Sequence, residues 1–480
     1  MALLILDVGS SSVRALLLDD ALAMIPNAIA RRSIVFDYTS AGGASIAVDA
    51  LRATLEACID DLLQRFAHLP IEAVGMATFV GNLCGVDAHN TPITPLLTYA
   101  DTRALDEALQ LRQALDENAI HQRTGCPLTS AYWPSQLRWM QSAHALEVAQ
   151  VARWQDVATT CYRTWFGHDV PCSLSVASWG GLLNRQSATW DAAWLADLGV
   201  ESSQLPTLAD YDAVQLGLSA AYAARWPSLA DVPFYLAVGD GATANLGTGG
   251  DHPELLVLTV GTTAALRIVT PTLPNPLPSG LWSYRVDQAR HLTGGATTEG
   301  GNVFAWASSS FGLDAAQIEA ALSASMPDSH GLTVLPLFAG ERSPNYRADA
   351  VGTIHGLRLS TRPLDIAQAA LESVALRLAN IAALLPRPAQ VLAGGGALAA
   401  SPAWAQIMAD ALNLPLCRVD APEVTARGVG ALISGQRVKI ACGEVLQPRP
   451  EAIERLAAAR ARQTQLYERL YGVGFGFGVL

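Results

Sequence analysis

The sequence predicts an α/β protein built from two duplicated domains with a cleft between them, and three observations lead there. At 480 residues the chain exceeds what one hydrophobic core organises. Strand-like apolar runs alternate with helical patterns, as in layered α/β architectures. Finally, a strand, a small polar turn and a second strand occur near the N-terminus and again half a chain later, which reads as two related domains.

The first repeat runs from Leu3 to Leu6, through Asp7 and the turn Gly9-Ser10-Ser11-Ser12, into Val13 to Leu18. Hydrophobic spacing then predicts a helix over 48–66, a buried strand Ile71 to Thr78, and helices over 102–120 and 135–152. Around 235–250 FYLAVGDGATANLGTGG passes from an apolar strand into a glycine-rich stretch, and the division falls there, giving domains 1–242 and 243–480. The second repeat follows as Leu255 to Val260, Gly261-Thr262-Thr263 and Ala264 to Val269. The proline-rich segment 271–280 reads as a surface connection closing that hairpin. Near the end, VLAGGGALAASPAWAQIMADALNLPL reads as a strand, a glycine turn, and a helix capped by Ser401 with Pro402 at its first position. A strand passing through glycines into a helix N-terminus suits a nucleotide phosphate. An Ala/Arg-rich helix over 451–471 is expected to pack on the outside.

Composition removes several functions. Half the residues are hydrophobic and 15% are charged, with a mean hydropathy of +0.24, so the chain folds around large cores. A net charge of −12 with no Lys/Arg run argues against nucleic acid or an anionic membrane as partner. Lys439 is the single lysine, and no GxxxxGK[ST] surrounds it, so a Walker loop is absent. Any phosphate must be held by amides, hydroxyls, arginine and metal. Seven scattered cysteines without a CxxC read as reduced thiols of a cytoplasmic protein, not a disulfide frame. No apolar run of about 18 residues suggests a membrane span.

Four places carry candidate chemistry, each with a plain structural alternative. Asp7, the turn Gly9 to Ser12 and Arg14 offer a carboxylate for a metal and amides and hydroxyls for a polyphosphate; a serine-rich hairpin with a solvated Asp is the alternative. Gly261 to Thr263 offers a second such turn. Asp240 stands between two glycines at a strand end, as a general base or metal ligand would, or as a cap for the following helix. Asp101 and Arg103 form a polar pair, or an N-cap with a surface arginine.

Taken together, DVGSSSVR, TYADTRA, GDGATA, VGTTA, GGNVFAW, GERSP and the GGGALAASP run stand in the order seen in the FGGY family of carbohydrate kinases, which the chain resembles over nearly its whole length. The resemblance implies two actin-like (ribonuclease H-like) domains with ATP, Mg2+ and a small sugar or sugar-acid substrate between them, and is compatible with a homodimer. It assigns Asp240 as the base on the sugar hydroxyl and Asp7 with Asp240 as the carboxylates around Mg2+. Gly9 to Ser12 with Arg14 match the first phosphate motif and Gly261 to Thr263 the second. Gly300 and Gly301 match the turn near the ADP phosphates, and Gly395, Gly396 and Ala397 the adenosine motif. Asp101 and Arg103 match the sugar-side W-x-D-x-R, with Tyr99 replacing the tryptophan.

Two departures concern the substrate. Gly81-Asn82 stands where relatives carry Met-His, and Gln136 where they carry a lysine. The expected activity is therefore phosphorylation of a hydroxyl on a sugar, ketose, polyol or aldonate, without choosing among them. A catalytically silent nucleotide-binding regulator on the same scaffold is the alternative reading.

Overall fold

The structure, a computed structural model, describes residues 2–347 and 349–472. Strand β1 (Ala2–Val8) is buried at all but one position, hence its unbroken apolar run. It pairs antiparallel with β2 (Ser12–Leu18), and β3 (Met24–Ser33) follows on the far side of β2. Helix α1 (Val48–Arg65) turns one apolar face onto this sheet before β4 (Ile71–Thr78) returns parallel to β1.

A helical excursion then leaves the sheet. The single helix expected over 102–120 is two, α2 (Leu105–Ala114) and α3 (Glu117–Thr124), because Asp116 caps α3 by accepting from the Ala119 amide. Gly125, in the left-handed region at φ 75°, ends α3. The helix expected over 135–152 starts earlier and stops sooner, as α4 (Trp133–Ala143) and a single further turn. Helix α5 (Val157–Phe166) follows, and its aromatic rings Tyr162, Trp165 and Phe166 pack edge-on against Phe234. Short strand β5 (Val238–Gly239) joins β4 and completes a sheet ordered β5-β4-β1-β2-β3, and α6 (Asp240–Gly247) begins directly after it.

The second sheet repeats the pattern. Strands β6 (Leu255–Val260) and β7 (Ala264–Thr270) form the second hairpin, followed by β8 (Trp282–Arg285) and β9 (His291–Thr297). Helix α7 (Gly301–Phe311) and the buried α8 (Pro363–Ala382) lead to β10 (Gln390–Gly394), short α9 (Gly396–Ala400) and α10 (Pro402–Leu412). Strand β11 (Leu416–Val419), α11 (Val424–Ser434), β12 (Cys442–Leu446) and α12 (Pro450–Tyr471) complete the order, and the sheet reads β8-β9-β7-β6-β10-β11-β12. In each sheet the first hairpin strand has its antiparallel partner on one side and a later parallel strand on the other. The duplication expected from the two turns is thus present in topology.

Helices α6 and α11 join the two halves. A Cβ on Gly247 would lie 1.6 Å from the Val424 carbonyl oxygen, and one on Gly428 would lie 1.9 Å from that of Thr243, so glycine is what lets these backbones touch. Helix α11 also lies on the first sheet, where Val429 and Ile433 fill the space that a side chain at Gly75 would need.

Two sequence expectations are corrected. Cys417 and Cys442 sit on neighbouring antiparallel strands with Cα atoms 5.7 Å apart and form a disulfide, while the other five cysteines are free and buried. Twenty-five residues of separation gave no hint of that pairing. The proline-rich segment 271–280 is more than a surface connection: Leu277 is buried, and its amide and carbonyl exchange hydrogen bonds with the Gln122 side chain at 2.9 and 2.8 Å. The loop therefore docks the second half onto α3. Among the described residues, no helix is long and apolar enough to cross a membrane.

Candidate active site

Asp7 and Arg14 face each other across the first hairpin as register partners. Asp7 is only 2% exposed, and Arg14 Nε lies 3.5 Å from its Oδ2. The same guanidinium reaches Glu423 Oε2 at 2.5 Å through Nη1, and Glu423 precedes α11, in the other half of the chain. Burial pushes the Asp7 carboxyl up to about 6; Arg14 opposes that shift and Glu423 adds to it. In the turn, the Gly9 amide donates to the Ser12 carbonyl at 3.1 Å. Ser12 Oγ accepts from Arg31 at 3.2 Å, Ser10 Oγ from the Tyr99 hydroxyl at 3.3 Å, and Ser11 is exposed.

Asp240 opens α6 and accepts from the Gly241 amide at 2.7 Å, so its helix-start role and its cleft position coexist. A Cβ at Gly239 or Gly241 would lie 2.8 or 2.9 Å from the Trp179 ring. The two glycines flanking Asp240 thus admit an indole beside the carboxylate. Trp179 stacks on Tyr284 with centroids 3.7 Å apart, Tyr284 stacks on Trp282, and the Tyr284 and Tyr132 hydroxyls meet at 2.5 Å. Burial pushes Asp240 up to about 6, the Asp7 charge adds to this, and the Gly241 amide and Arg267 oppose it. Asp240 therefore lies in the field of the first hairpin through Asp7 and of the second through Arg267 on β7.

The second hairpin, the start of α7 and the start of α9 converge. The Gly261 amide donates to Thr263 across the turn at 3.0 Å, the Gly261 carbonyl accepts from the Gly301 amide at 2.7 Å, and the Thr262 carbonyl accepts from Asn302 at 3.2 Å. The Asn302 side chain returns to the Gly300 amide at 2.8 Å. A Cβ on Gly301 would lie 2.8 Å from the Gly261 oxygen and 3.2 Å from Ala397 Cβ. Gly395 stands at φ 104°, where a Cβ would come within 2.3 Å of the Val260 oxygen, and Gly396 faces open space. The turn 261–263 is exposed to an incoming anion, while the amides opening α7 are spent on holding that turn in place.

The sugar-side residues are tied to the first hairpin through Tyr99. Asp101 takes the Arg103 guanidinium at 2.6 Å and the Ala44 amide at 2.9 Å, and Arg103 lies over the Trp139 ring at 4.2 Å. Asp101 is not the cap of α2, whose N-cap is Ala104. Gly81, at φ 68°, leaves room for Tyr99, whose Cβ lies 3.2 Å from where a Gly81 Cβ would stand. Asn82 is 1% exposed, and its amide is engaged at both ends, accepting from Val157 at 2.9 Å and donating to Phe79 at 2.5 Å. Gln136 donates to the Thr98 carbonyl at 3.1 Å.

Sequence reasoning passed over Trp179, Tyr132, Trp282, Tyr284, Arg267 and Glu423. The SLSVASWGG stretch held Trp179 in view, but nothing local marked its ring as a neighbour of Asp240. Among the described residues no three His, Cys, Asp or Glu side chains are grouped to hold a metal. The pair Asp7 and Asp240 nevertheless fits a hard cation of the Mg2+ type, which takes one or two carboxylates and completes its shell with phosphate oxygens and water. Two carboxyls raised by burial and, for Asp240, by the other's charge form a site that a cation relieves.

Known proteins match the chain over most of its length. The N-terminal domain model of the FGGY family of carbohydrate kinases matches residues 2–247, and its C-terminal domain model matches residues 256–434. The chain is 24% identical over 356 residues to a gluconokinase of Bacillus subtilis (strain 168), covering 71% of this chain and 69% of that protein. It is 29% identical over 450 residues to a glycerol kinase of Aromatoleum aromaticum, covering 90% and 89%. Among solved structures, a xylulose kinase from Lactobacillus acidophilus superposes with a TM-score of 0.91 at 21% identity, covering 98% of each chain. A gluconate kinase from the same organism gives 0.90 at 21% identity, again covering 98% of each.

Proposed function

Because the chain belongs to the FGGY family of carbohydrate kinases, we propose that it transfers a phosphoryl group from Mg-ATP to a hydroxyl of a small sugar, ketose, polyol or aldonate, with Asp240 as the general base. The observation that carries this reading is the placement of Asp240 between the two hairpins, sensing Asp7 on one side and Arg267 on the other. The two halves, 1–242 and 243–480, each contribute one phosphate turn.

Phosphoryl transfer asks for alignment and charge neutralisation more than for covalent chemistry. Asp240, raised only to about 6, is ionised at neutral pH and takes the proton of the acceptor hydroxyl through a carboxylate oxygen. Asp7, steadied by Arg14, shares with Asp240 the task of holding Mg2+, which when bound neutralises the phosphate oxygens. The turns Gly9 to Ser12 and Gly261 to Thr263 orient the phosphate chain, Gly300 and Gly301 hold the second turn in place, and Gly395 to Ala397 form the floor for the adenosine. Trp179, packed at the two glycines that flank Asp240 and backed by Tyr284, covers one side of the carboxylate, which favours transfer to the acceptor over hydrolysis.

A coupled ADP-release assay over a panel of sugars, polyols and aldonates tests this. At least one acceptor is expected to stimulate ADP release, and Asp240→Asn is expected to lower kcat by about 1,000-fold or more while ATP binding by calorimetry stays within a few-fold. Near wild-type turnover in that variant would remove Asp240 from the role of base.

A further inference from the structure

Two guanidiniums, Arg267 beside Asp240 and Arg342 near Arg267, are given no ligand in the reading above. Arg267 projects from the middle of β7, where its register partners are Val257 on β6 and Gly294 on β9. Its Nε lies 3.6 Å from the position a Gly241 Cβ would take, so it stands next to the base. Among the described residues its one hydrogen bond is a long contact of 3.5 Å from Nη1 to Thr259 Oγ1, and its buried Nε has no hydrogen-bond partner. Arg342 belongs to the loop after Gly340, and that loop is pinned to β9: the Ser343 amide donates to the Ala296 carbonyl at 3.0 Å and Ser343 Oγ accepts from the Ala296 amide at 3.2 Å. Ala296 is two residues from Gly294, which sets Arg342 near enough for the two guanidiniums to repel. Among the described residues neither arginine makes an ion pair, whereas Arg14, Arg103 and Arg377 each hold a carboxylate.

A buried guanidinium nitrogen without a partner, with a second guanidinium near it, is costly unless an anion joins them. The nucleotide phosphates held at the second turn are not placed to do so, and only the phosphoryl group in transfer comes near Asp240. The phosphate turn is centred on Thr262, five residues from Arg267, which at strand rise is roughly 16 Å along the hairpin. Arg267 instead lies beside the base, at Gly241, which the ring of Trp179 in the Trp179–Tyr284 stack also approaches. Gly294 keeps the approach clear, since a Cβ there would lie 2.9 Å from the Trp282 ring. Planar guanidiniums match a carboxylate through paired N–H donors better than they match a hydroxyl.

We propose that Arg267 and Arg342 are a carboxylate-reading pair on the acceptor side of Asp240, so that the substrate is a polyhydroxy acid, an aldonate, and not a neutral sugar. This rests on the kinase reading and narrows it.

The test compares five- and six-carbon aldonates with the ketose and polyol of equal chain length, using the full-length protein with saturating Mg-ATP. Wild type is expected to favour the aldonate by on the order of 100-fold in kcat/KM. Arg267→Gln and Arg342→Gln are each expected to raise the aldonate KM by at least about 10-fold while leaving the ATP KM unchanged. Calorimetry with the aldonate and no nucleotide should show binding to wild type and its loss in both variants. Arg342 is exposed, so its variant is informative even where Arg267→Gln fails to fold. An enzyme that prefers a ketose or polyol overturns the carboxylate inference and leaves the kinase reading standing. A loss of kcat with every acceptor, together with a raised ATP KM, overturns it too, by assigning the arginines to the transferred phosphoryl group. If no acceptor of any class is phosphorylated, the kinase reading falls and the inference falls with it.

Discussion

Asp240, the proposed base, is set by two opposed influences, burial together with the charge of Asp7, against the Gly241 amide and Arg267. The balance leaves it near 6 in the metal-free protein, and a cation beside it draws that value down. A general base works ionised, so kcat/KM should rise with pH through a limb centred at or below about 6 and level off toward 8. A rate profile from pH 5 to 8 checks this, and a limb centred above 7 would contradict it. Asp7 and Asp240 were legible in the sequence because a carboxylate ending an apolar strand has no packing role. Glu423 and Arg267 were not. Glu423 meets Arg14 across 409 positions of chain, and Arg267 looks like any outward residue of a strand until its neighbours are known. Asn82 shows the converse: a residue that stood out against the family pattern is occupied by the Val157 amide and the Phe79 carbonyl.

At the level of elements, hairpins and glycine turns were readable and helix limits were less so. The strand Ile71–Thr78 and the capped helix at Ser401 fall where period and cap residues put them, because both signals are local. The break between α2 and α3 depended on Asp116 acting as a cap inside a pattern that otherwise continues, and the docking of Leu277 on Gln122 depended on a partner 155 positions away. The junction of the second hairpin with α7 is specified by Gly301, where any Cβ would press on the Gly261 oxygen at 2.8 Å. Gly301→Ala should therefore displace the 261–263 turn, raising the ATP KM by about 10-fold or more with little change in acceptor KM. Steady-state kinetics with each substrate varied separately reads this. At the contact of α6 with α11 the same substitution has a different consequence. Gly428→Ala puts a methyl 1.9 Å from the Thr243 oxygen inside the joint between the halves, so it should cost on the order of 3 kcal/mol of stability, read as a lower midpoint in urea.

For the whole molecule, the proposed site, with its two buried carboxyls, is a source of instability at neutral pH that a bound cation would relieve. Asp7 and Asp240 are both raised in the fold from an ordinary value of 3.8 to about 6, so their protonated forms are the ones the fold favours. The stability they contribute is present below about pH 4 and is lost as pH rises through about 6. Other groups act in the opposite sense over part of this range: His121 and His291, held down near 4 by burial, favour the folded state more as pH rises toward 6.5. The melting temperature of wild type alone is thus ambiguous, and the comparison with Asp7→Asn and Asp240→Asn isolates the carboxylates. Without ligand, each variant should gain on wild type between pH 4.5 and 7.5, by on the order of 2 kcal/mol for each carboxyl that is replaced. Mg2+ with a nucleotide should close that gap by stabilising wild type more than either variant, since the ion compensates the charges that burial penalises. A wild type that keeps pace with both variants across this range would mean that the two carboxylates are not strained by burial, and the electrostatic case for a cation between the hairpins would go with it.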